Sequence, residues 1–492
     1  MQSDNVNSSD SPTLERLRQV LPKDRQHDPN GERLAQLLEQ ISRQKVPVGS
    51  FSRIWLLGSL QAKVTGGYLA YWLRSRFASA KQKVVLKNEA RLTAALQLFG
   101  TMGYLRGAVM KVGQMLAGLP EVLPEEFAEV LAALHFQAPP MHYSLIREVF
   151  LDEFGCEPEV LFASFERQAF AAASLGQVHR ARLHSGQQVA VKIQYPDISR
   201  TIRSDLRNLR LLLQPMCMTK DWRYQLEKLV DLEQMLNMET DYRQEARFTR
   251  DIRALFAPTE QIVIPEVFEA YSTGRVLTTE YLPGRHLDDF LAGEPDQALR
   301  DHFTELMTTA TMRPLYHKRL LLADPNPGNY IFMDDGRLGL IDFGCTRVLT
   351  EEEEQLQHEF ELAVMAGDDT KIDQMLAQTC YFDTVEEMEP ERLRVVGQGA
   401  RWQMEPWAKE GVFDFGDREF FHRGIQATME LCRKGYSRGA PTWIWANRFI
   451  LGARGVVYRL RGRCDFHKLY AREMELLQTG ERLPDRKIHT ES

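Results

Sequence analysis

The sequence predicts an α+β fold: a two-lobed core of mixed strands and helices, preceded by a helical extension and followed by a helical C-terminal region. Three observations carry this reading. Apolar residues alternate with period two in paired stretches between Ala172 and Gly344, they recur at helical spacing around and between those stretches, and no internal repeat is present. In chain order, residues 1–30 form a polar tail that is expected to be disordered, and 31–140 a helical extension. Within it, IWLLGSLQAKVTGGYLAYWLRSRF sets Trp55, Tyr68, Tyr71 and Trp72 among Arg53, Lys63, Arg74 and Arg76. That mixture suits either a membrane surface or a helix packed on the main domain with a solvated basic edge. Ala138-Pro139-Pro140 stops the region. A first lobe over 141–282 opens with SLGQVHRARL and QQVAVKIQ, a strand pair turned at His184-Ser185-Gly186. Helical spacing runs from Ile198 to Phe256, and VIPEVFEAY and RVLTTEYL read as a second strand pair. The second lobe, 283–480, contains NYIFMDDGRLGLIDFG, a hairpin turned at Asp335-Gly336. Thr350 followed by Glu351, Glu352 and Glu353 then reads as a capping box, and the rest is helical up to a tail at 481–492.

The 492 residues are 43% hydrophobic and 26% charged, enough to bury one large or two moderate cores. A net charge of -7 argues against a wholesale polyanion binder, so no nucleic acid is expected as a partner. Cys156, Cys217, Cys345, Cys380, Cys432 and Cys464 are scattered without a C-x-x-C pair, which fits free thiols in a reducing compartment and no cysteine-held metal. MQSDNVNSSDSP has the character of neither a secretion signal nor a transit peptide, and no apolar run is long enough to span a membrane.

The chemistry-bearing stretch is ADPNPGNYIFMDDGRLGLIDFG. Asp324 precedes Asn329 by the D-x-x-x-x-N step of a kinase catalytic loop, and Asp342 opens DFG after a hairpin. Phosphoryl transfer needs such a set, because divalent ions must neutralise a triphosphate: Asn329 and Asp342 offer hard oxygen ligands, and Asp324 would orient the accepting hydroxyl. Taken singly, each could be a loop cap. A second DFG, Asp414 to Gly416, lacks the strand pair and the loop upstream and reads as coincidence. Lys192 ends VAVK, like the third-strand lysine of kinases that clamps the α and β phosphates. METDYRQEARF offers Glu239, Asp241 and Glu245 as its acidic partner, and Glu245 is the favoured clamp.

These residues resemble the UbiB/ADCK family of atypical protein-kinase-like ATPases, associated with coenzyme Q biosynthesis, over roughly residues 45–350. The marks are KVGQ at 111–114, AAAS at 171–174, VAVK at 189–192, ETD at 239–241, Glu245, ADPNPGN at 323–329 and DFG at 342–344. The fold implied is an atypical two-lobed protein-kinase-like fold with a KxGQ helix in its N-terminal extension. Many members carry H-A-D-P-H-P-G-N, where this chain has Leu322 and Asn326 in place of the histidines, so the bracing of the loop is open. The resemblance implies a nucleotide site at Ala171, Ala172, Ala173, Ser174, Lys192 and Glu280, taking ATP or ADP with Mg²⁺ or Mn²⁺. Alanines in place of glycines restrict the backbone, and in the family this loop tunes nucleotide choice and restrains phosphoryl transfer. Lys111 and Gln114 share another face than the apolar stripe of Leu105, Ala108, Val109, Val112, Leu116 and Leu119. By the resemblance they are regulatory, with Lys111 over the active site paired to Glu239 or Asp241. Only CTRVL separates DFG from Thr350 and no A-P-E follows, which disfavours a peptide substrate docked in the usual pose.

The expected activity is ATP hydrolysis or autophosphorylation in support of quinone biosynthesis. The expected partners are a nucleotide, an anionic membrane surface and a quinone-pathway lipid or enzyme, at a cytoplasmic, peripherally membrane-associated location; a homodimer is compatible. Two rivals are a small-molecule phosphotransferase and a nucleotide-gated lipid-binding scaffold without turnover. Trp402, Trp407, Trp443 and Trp445 are expected to pack a core rather than bind a quinone.

Overall fold

The computed structural model describes residues 141–479, apart from 174, 197, 201, 203–221, 258–259, 435 and 437–438. The 31–140 extension with Lys111 and Gln114, and Ser174 of the alanine stretch, lie outside the described residues. The chain divides into a unit of residues 1–139 with 197–215 and a unit of 140–196 with 216–492, and the second is described here.

Helix α1 (Tyr143–Phe154) turns Ile146, Val149 and Phe150 inward and ends at Gly155, whose φ of 70° closes the helix at a position that favours glycine. A single turn α2 (Pro158–Leu161) leads to β1 (Ser164–Phe165), β2 (Ala171–Ala173), β3 (Gly176–Arg182) and β4 (Gln188–Gln194). The β3–β4 hairpin turns at residues 183–187 with Gly186 at φ 92°, where its sequence placed it. Alternation sends Val189, Val191 and Ile193 to the α1 side and Lys192 to the other. At Gly176 a Cβ would stand 2.0 Å from the Ile193 carbonyl oxygen, so only glycine lets β3 lie this close to β4.

Helices α3 (Trp222–Glu239) and α4 (Tyr242–Arg253) precede β5 (Ile262–Val263) and β6 (Val276–Glu280). The sheet runs β1-β3-β4-β6, with β2 on the edge of β3. VIPEVFEAY is not the long partner strand that its pattern suggests. Only Ile262–Val263 is a strand, Val267 bridges Thr279 alone, and Glu269–Tyr271 is a 3-10 turn. Pro265 cannot donate to a ladder and interrupts the run.

The second lobe is built on α5 (Leu287–Ala292) and the long α6 (Gln297–Lys318), followed by β7 (Leu320–Leu322), β8 (Tyr330–Phe332), β9 (Leu338–Leu340) and β10 (Thr346–Val348). β8 and β9 form the expected antiparallel hairpin around Gly336 at φ 85°, and β5 joins β9 in parallel. Helices α7 (Glu351–Met365), α8 (Asp369–Thr379) and α9 (Pro390–Ala408) come next. They are followed by β11 (Phe413–Asp414), α10 (Arg418–Lys434), α11 (Pro441–Leu460), β12 (Arg463–Cys464) and α12 (Phe466–Thr479). One core joins Phe303, Met307 and Ala310 of α6 to Phe332, Leu338 and Phe343, and to Val456, Leu460 and Phe466 from the C-terminal helices. Thr350 and Glu353 form the capping box reciprocally. Trp402 and Trp445 are buried, and Trp443 and Trp407 pack on Phe360 and Phe466. In the second DFG, Asp414 is exposed and accepts from the Gly416 N–H while Phe413 and Phe415 enter the core, a structural turn.

Pro406 within α9 has no N–H to offer the Trp402 carbonyl four residues earlier. Arg454 of α11 supplies the missing donor at 2.8 Å and caps the Gln403 carbonyl as well. On α7, Glu361 is 1% exposed and accepts from the Tyr316 hydroxyl at 2.9 Å and the Gln357 amide at 3.0 Å. Burial pushes its carboxyl up to about 7 from an ordinary 4.5. A raised folded value means that the stabilising contribution of the protonated form is complete below about pH 4.5 and is lost as pH rises through about 7. Glu361→Gln should therefore stabilise the protein by up to about 3 kcal/mol near pH 8 in denaturant titrations, with the gain vanishing toward pH 4.5. A gain of equal size at both pH values would overturn this account.

Candidate active site

Lys192 is one of the residues of β4 that face away from the α1 core, opposite Val178 of β3 and Leu277 of β6. Its Nζ donates to both oxygens of Glu245, at 2.8 and 2.9 Å, and to Oδ2 of Asp342 at 3.1 Å. The placement of Glu245 follows from the start of α4. Asp241 is the N-cap, accepting from the Arg243 N–H at 3.0 Å, and Glu245 lies one turn later on the buried face with Tyr242, Phe248 and Ile252. Tyr242, whose N–H is held by the Gly274 carbonyl, sets its ring 5.1 Å from the ammonium. Glu239 is buried at the end of α3, near enough to raise Glu245 electrostatically, whereas Asp241 is exposed.

One ammonium is shared by two carboxylates. Burial works against the charge on Lys192, but Asp342 and Glu245 prevail and hold it well above the usual lysine range. Burial, reinforced by the neighbouring charge of Asp342, pushes Glu245 up to about 7 even against the pull of Lys192. The shared cation keeps Lys192 protonated, and the surplus negative charge is what raises the acid.

The Asp324–Asn329 loop leaves β7 at Ala323. Asn326 caps the 3-10 turn Pro327–Asn329, its side-chain oxygen accepting from the Gly328 N–H at 2.9 Å. Asn329 Nδ2 donates to the Asp324 carbonyl at 3.1 Å, and the Asn329 carbonyl accepts from the Ile341 N–H at 3.1 Å, which ties the loop to the residue before DFG. Asp342 Oδ1 accepts from the Gly344 N–H at 3.0 Å. A Cβ at Gly344 would lie 3.1 Å from Glu245 Oε2, so the glycine allows this turn to close on the acid. Thus the two departures from H-A-D-P-H-P-G-N have definite places: Leu322 is a β7 residue opposite Thr346, and Asn326 is the cap. The Asp324 carboxylate accepts from Arg448 of α11 at 3.3 Å.

Beyond DFG the chain folds straight back. β10 pairs antiparallel with β7, Thr346 opposite Leu322 and Val348 opposite Leu320. Arg347 anchors this strand to Asp231 of α3 and to Glu353 of the α7 cap, and the Trp445 indole donates to the same Asp231.

Lys192, Glu245 and Asp342 thus meet in one ion cluster, and Asp324 with Asn329 form one hydrogen-bonded loop joined to it through Ile341. Ala171, Ala172 and Ala173 are a strand rather than a loop, opposite Val178, Gln177 and Gly176, so their backbone is already fixed by pairing. The carboxylate of Glu280 is committed to Arg253 at 3.5 Å and to the Glu266 N–H at 3.3 Å. Nothing in the sequence singles out Arg448 or Arg347: Arg448 is a lone arginine in a helical pattern, and Arg347 sits in CTRVL between DFG and Thr350 with nothing local to name its distant partner Asp231.

The donor types suit a hard divalent cation. Asn329 spends its amide N–H on the Asp324 carbonyl and keeps its side-chain oxygen. Asp342 follows the residue bonded to the Asn329 carbonyl and offers a carboxylate whose Oδ1 accepts from Gly344 and Oδ2 from Lys192.

Residues 133–376 match the family description "ABC1 atypical kinase-like domain". The chain is 29% identical over 316 residues to "Atypical kinase COQ8B, mitochondrial" of Danio rerio, covering 63% of this chain and 50% of that protein. It is 29% identical over 431 residues to the Rattus norvegicus protein of the same name, covering 85% of this chain and 79% of the relative. This chain therefore spans about half the length of the first relative and most of the second. Among solved structures, the erythromycin complex of Rv3197 from Mycobacterium tuberculosis superposes with a TM-score of 0.52 at 25% identity. That likeness covers 82% of this chain and 99% of the other.

Proposed function

Since this chain belongs to the ABC1 atypical kinase-like family, the UbiB/ADCK group, we propose that it is a Mg²⁺-dependent kinase-like ATPase supporting quinone biosynthesis at a membrane surface. The observation that supports this reading most is the bridging of Lys192 to both Glu245 and Asp342 beside the Asp324–Asn329 loop. Lys192 would bind the α and β phosphates of ATP or ADP, with Glu245 holding its ammonium in place. Asn329 and Asp342 would hold Mg²⁺ or Mn²⁺, and the metal when bound neutralises phosphate charge. Asp324 orients the attacking hydroxyl and receives its proton. With β10 paired to β7, the segment on which kinases dock a peptide is already folded, which favours water or the chain itself as acceptor.

Lys111 and Gln114 are proposed to regulate access, Lys111 pairing with Glu239 or Asp241. The alanine strand is proposed to restrain the phosphates, together with the Glu280 region. Among the described residues no helix is long and apolar enough to cross a membrane. The proposed location is the cytoplasmic face of an anionic membrane, held peripherally, whereas the relatives named above are mitochondrial.

The test is nucleotide binding and turnover with Mg²⁺, with EDTA, and with added anionic liposomes. Mg²⁺-dependent binding and liposome-stimulated hydrolysis are expected. A protein that binds no nucleotide under any of these conditions would overturn the reading, and transfer of labelled phosphate to a metabolite would replace hydrolysis by small-molecule phosphotransfer.

A further inference from the structure

Helix α11 carries two largely buried arginines, and they are used differently. Arg454 spends its guanidinium on the two carbonyls around the Pro406 break, a structural role fully accounted for. Arg448 lies nearly two turns earlier, with a side chain 10% exposed. One terminal nitrogen, Nη2, donates to Asp324 Oδ1 at 3.3 Å, a long bond for an ion pair. The other, Nη1, is buried and has no hydrogen-bond partner among the described residues. A buried guanidinium nitrogen left unpaired is costly, and one on the side chain that holds Asp324 calls for an anionic oxygen delivered by a ligand.

The helix holds this group rigidly. One turn before Arg448, the indole of Trp445 is bonded to Asp231, which also anchors Arg347 of β10. One turn after it, Gly452 packs so closely on Pro325 that a Cβ would sit 2.1 Å from the ring, so α11 rests directly on the residue after Asp324. The side chain of Asn447, next to Arg448, is turned the other way to Gln403. The Asp324 carboxylate is itself only 16% exposed, so the pair is largely withdrawn from solvent.

We propose that Arg448 is a phosphoryl-binding arginine supplied within the chain: Nη2 holds Asp324, and Nη1 takes a peripheral oxygen of the γ-phosphoryl group as it transfers. The inference rests on the nucleotide reading above and deepens it. The γ-phosphoryl is the anion that the reaction itself must bring beside Asp324, because the acceptor that Asp324 orients attacks that phosphorus. In hydrolysis, the water oxygen forms a bond to the γ phosphorus while the bond to the β,γ-bridging oxygen breaks. The electron pair leaves with ADP, the water proton passes to Asp324 and on to solvent, and inorganic phosphate is released. Charge stays on the three peripheral oxygens throughout, where a preorganised guanidinium fork stabilises it. Arg448 lies beyond the 133–376 segment that matches the family description, so this contact is contributed by the C-terminal helices.

The experiment measures binding of MgADP, MgATP and the transition-state mimic MgADP–aluminium fluoride to wild type, Arg448→Ala and Arg448→Lys. For Arg448→Ala, MgADP and MgATP affinities are expected within about threefold of wild type, while the mimic binds about 100-fold more weakly, below the full effect of known arginine fingers. Turnover falls in parallel and is partly restored by free guanidinium ion, and lysine, a point charge without the fork, gives an intermediate result. Equal mimic affinity in wild type and Arg448→Ala would overturn the inference. So would an equal loss for the mimic and MgADP, which indicates a brace or a folding defect. If Arg448→Ala does not fold, Arg448→Lys carries the same comparison. Wild type that binds none of the three nucleotides removes the nucleotide reading itself, an outcome distinct from the other two.

Discussion

Asp342→Asn is expected to abolish Mg²⁺-dependent nucleotide binding and to lower turnover by about a thousandfold, equivalent to about 4 kcal/mol of transition-state stabilisation. The amide keeps the size of the side chain but removes the anionic oxygen, and hard cations depend on that charge more than on shape. The fold should survive, because Asp342 is only partly buried and Lys192 retains Glu245 through two bonds of 2.8 and 2.9 Å. Removing the second carboxylate also removes one of the influences that raise Glu245, so the remaining pair should tighten. The unfolding midpoint is therefore expected to stay level or rise while calorimetric titration with MgATP goes flat. A variant with normal ATP affinity and turnover would mean that the aspartate of DFG does not hold the metal in this chain.

What the sequence made legible here follows the range of the interactions concerned. Asp324, Asn329 and Asp342 lie within nineteen consecutive residues, and local spacing on one loop and one hairpin carries their chemistry. The i, i+4 spacing that favours Glu245 puts it on one helical face with Asp241; the structure instead makes Asp241 the exposed N-cap and turns Glu245, one turn later, inward. The capping box at Thr350 is equally local. Pairing partners were less readable. Ile262–Val263 joins β9, a strand that the chain reaches only after β6, α5, α6, β7 and β8, and no turn signal announces that parallel contact. The alanines read as a loop through the family resemblance, yet a three-residue strand held by main-chain bonds needs no particular side chains. Arg448 was the least visible: it meets Asp324 across 124 positions, and a lone arginine in an amphipathic helix is indistinguishable from a solvated one until the helix is docked.

The same long-range logic applies to Glu473, whose replacement by alanine is expected to destabilise the protein by about 3–5 kcal/mol. Its carboxylate joins α12 to α6: Arg313 donates through Nε at 3.0 Å and Nη2 at 2.8 Å, and His317 Nε2 lies 3.0 Å away. The Arg313 side chain is 4% exposed and those of Glu473 and His317 1% each, so the partners of the lost carboxylate lie away from bulk solvent. Arg313 would keep Glu260 at 2.7 Å, but His317, whose Nδ1 already lacks a partner among the described residues, would lose its bond to Glu473. Burial tends to raise the Glu473 carboxyl, yet the hydrogen bonds from His317 and Arg313 leave it below the usual range. Its stabilising contribution is thus present above the unfolded value and is lost as pH falls through the folded one. The gap between wild type and Glu473→Ala should be full at neutral pH and narrow in strong acid. Pairing Glu473→Leu with Arg313→Met separates the causes, since the harm comes from a buried charge without its partner rather than from loss of attraction alone. The double variant should regain much of the lost stability, and one no more stable than Glu473→Ala would show that the geometry of the triad, not its unpaired charge, sets the cost.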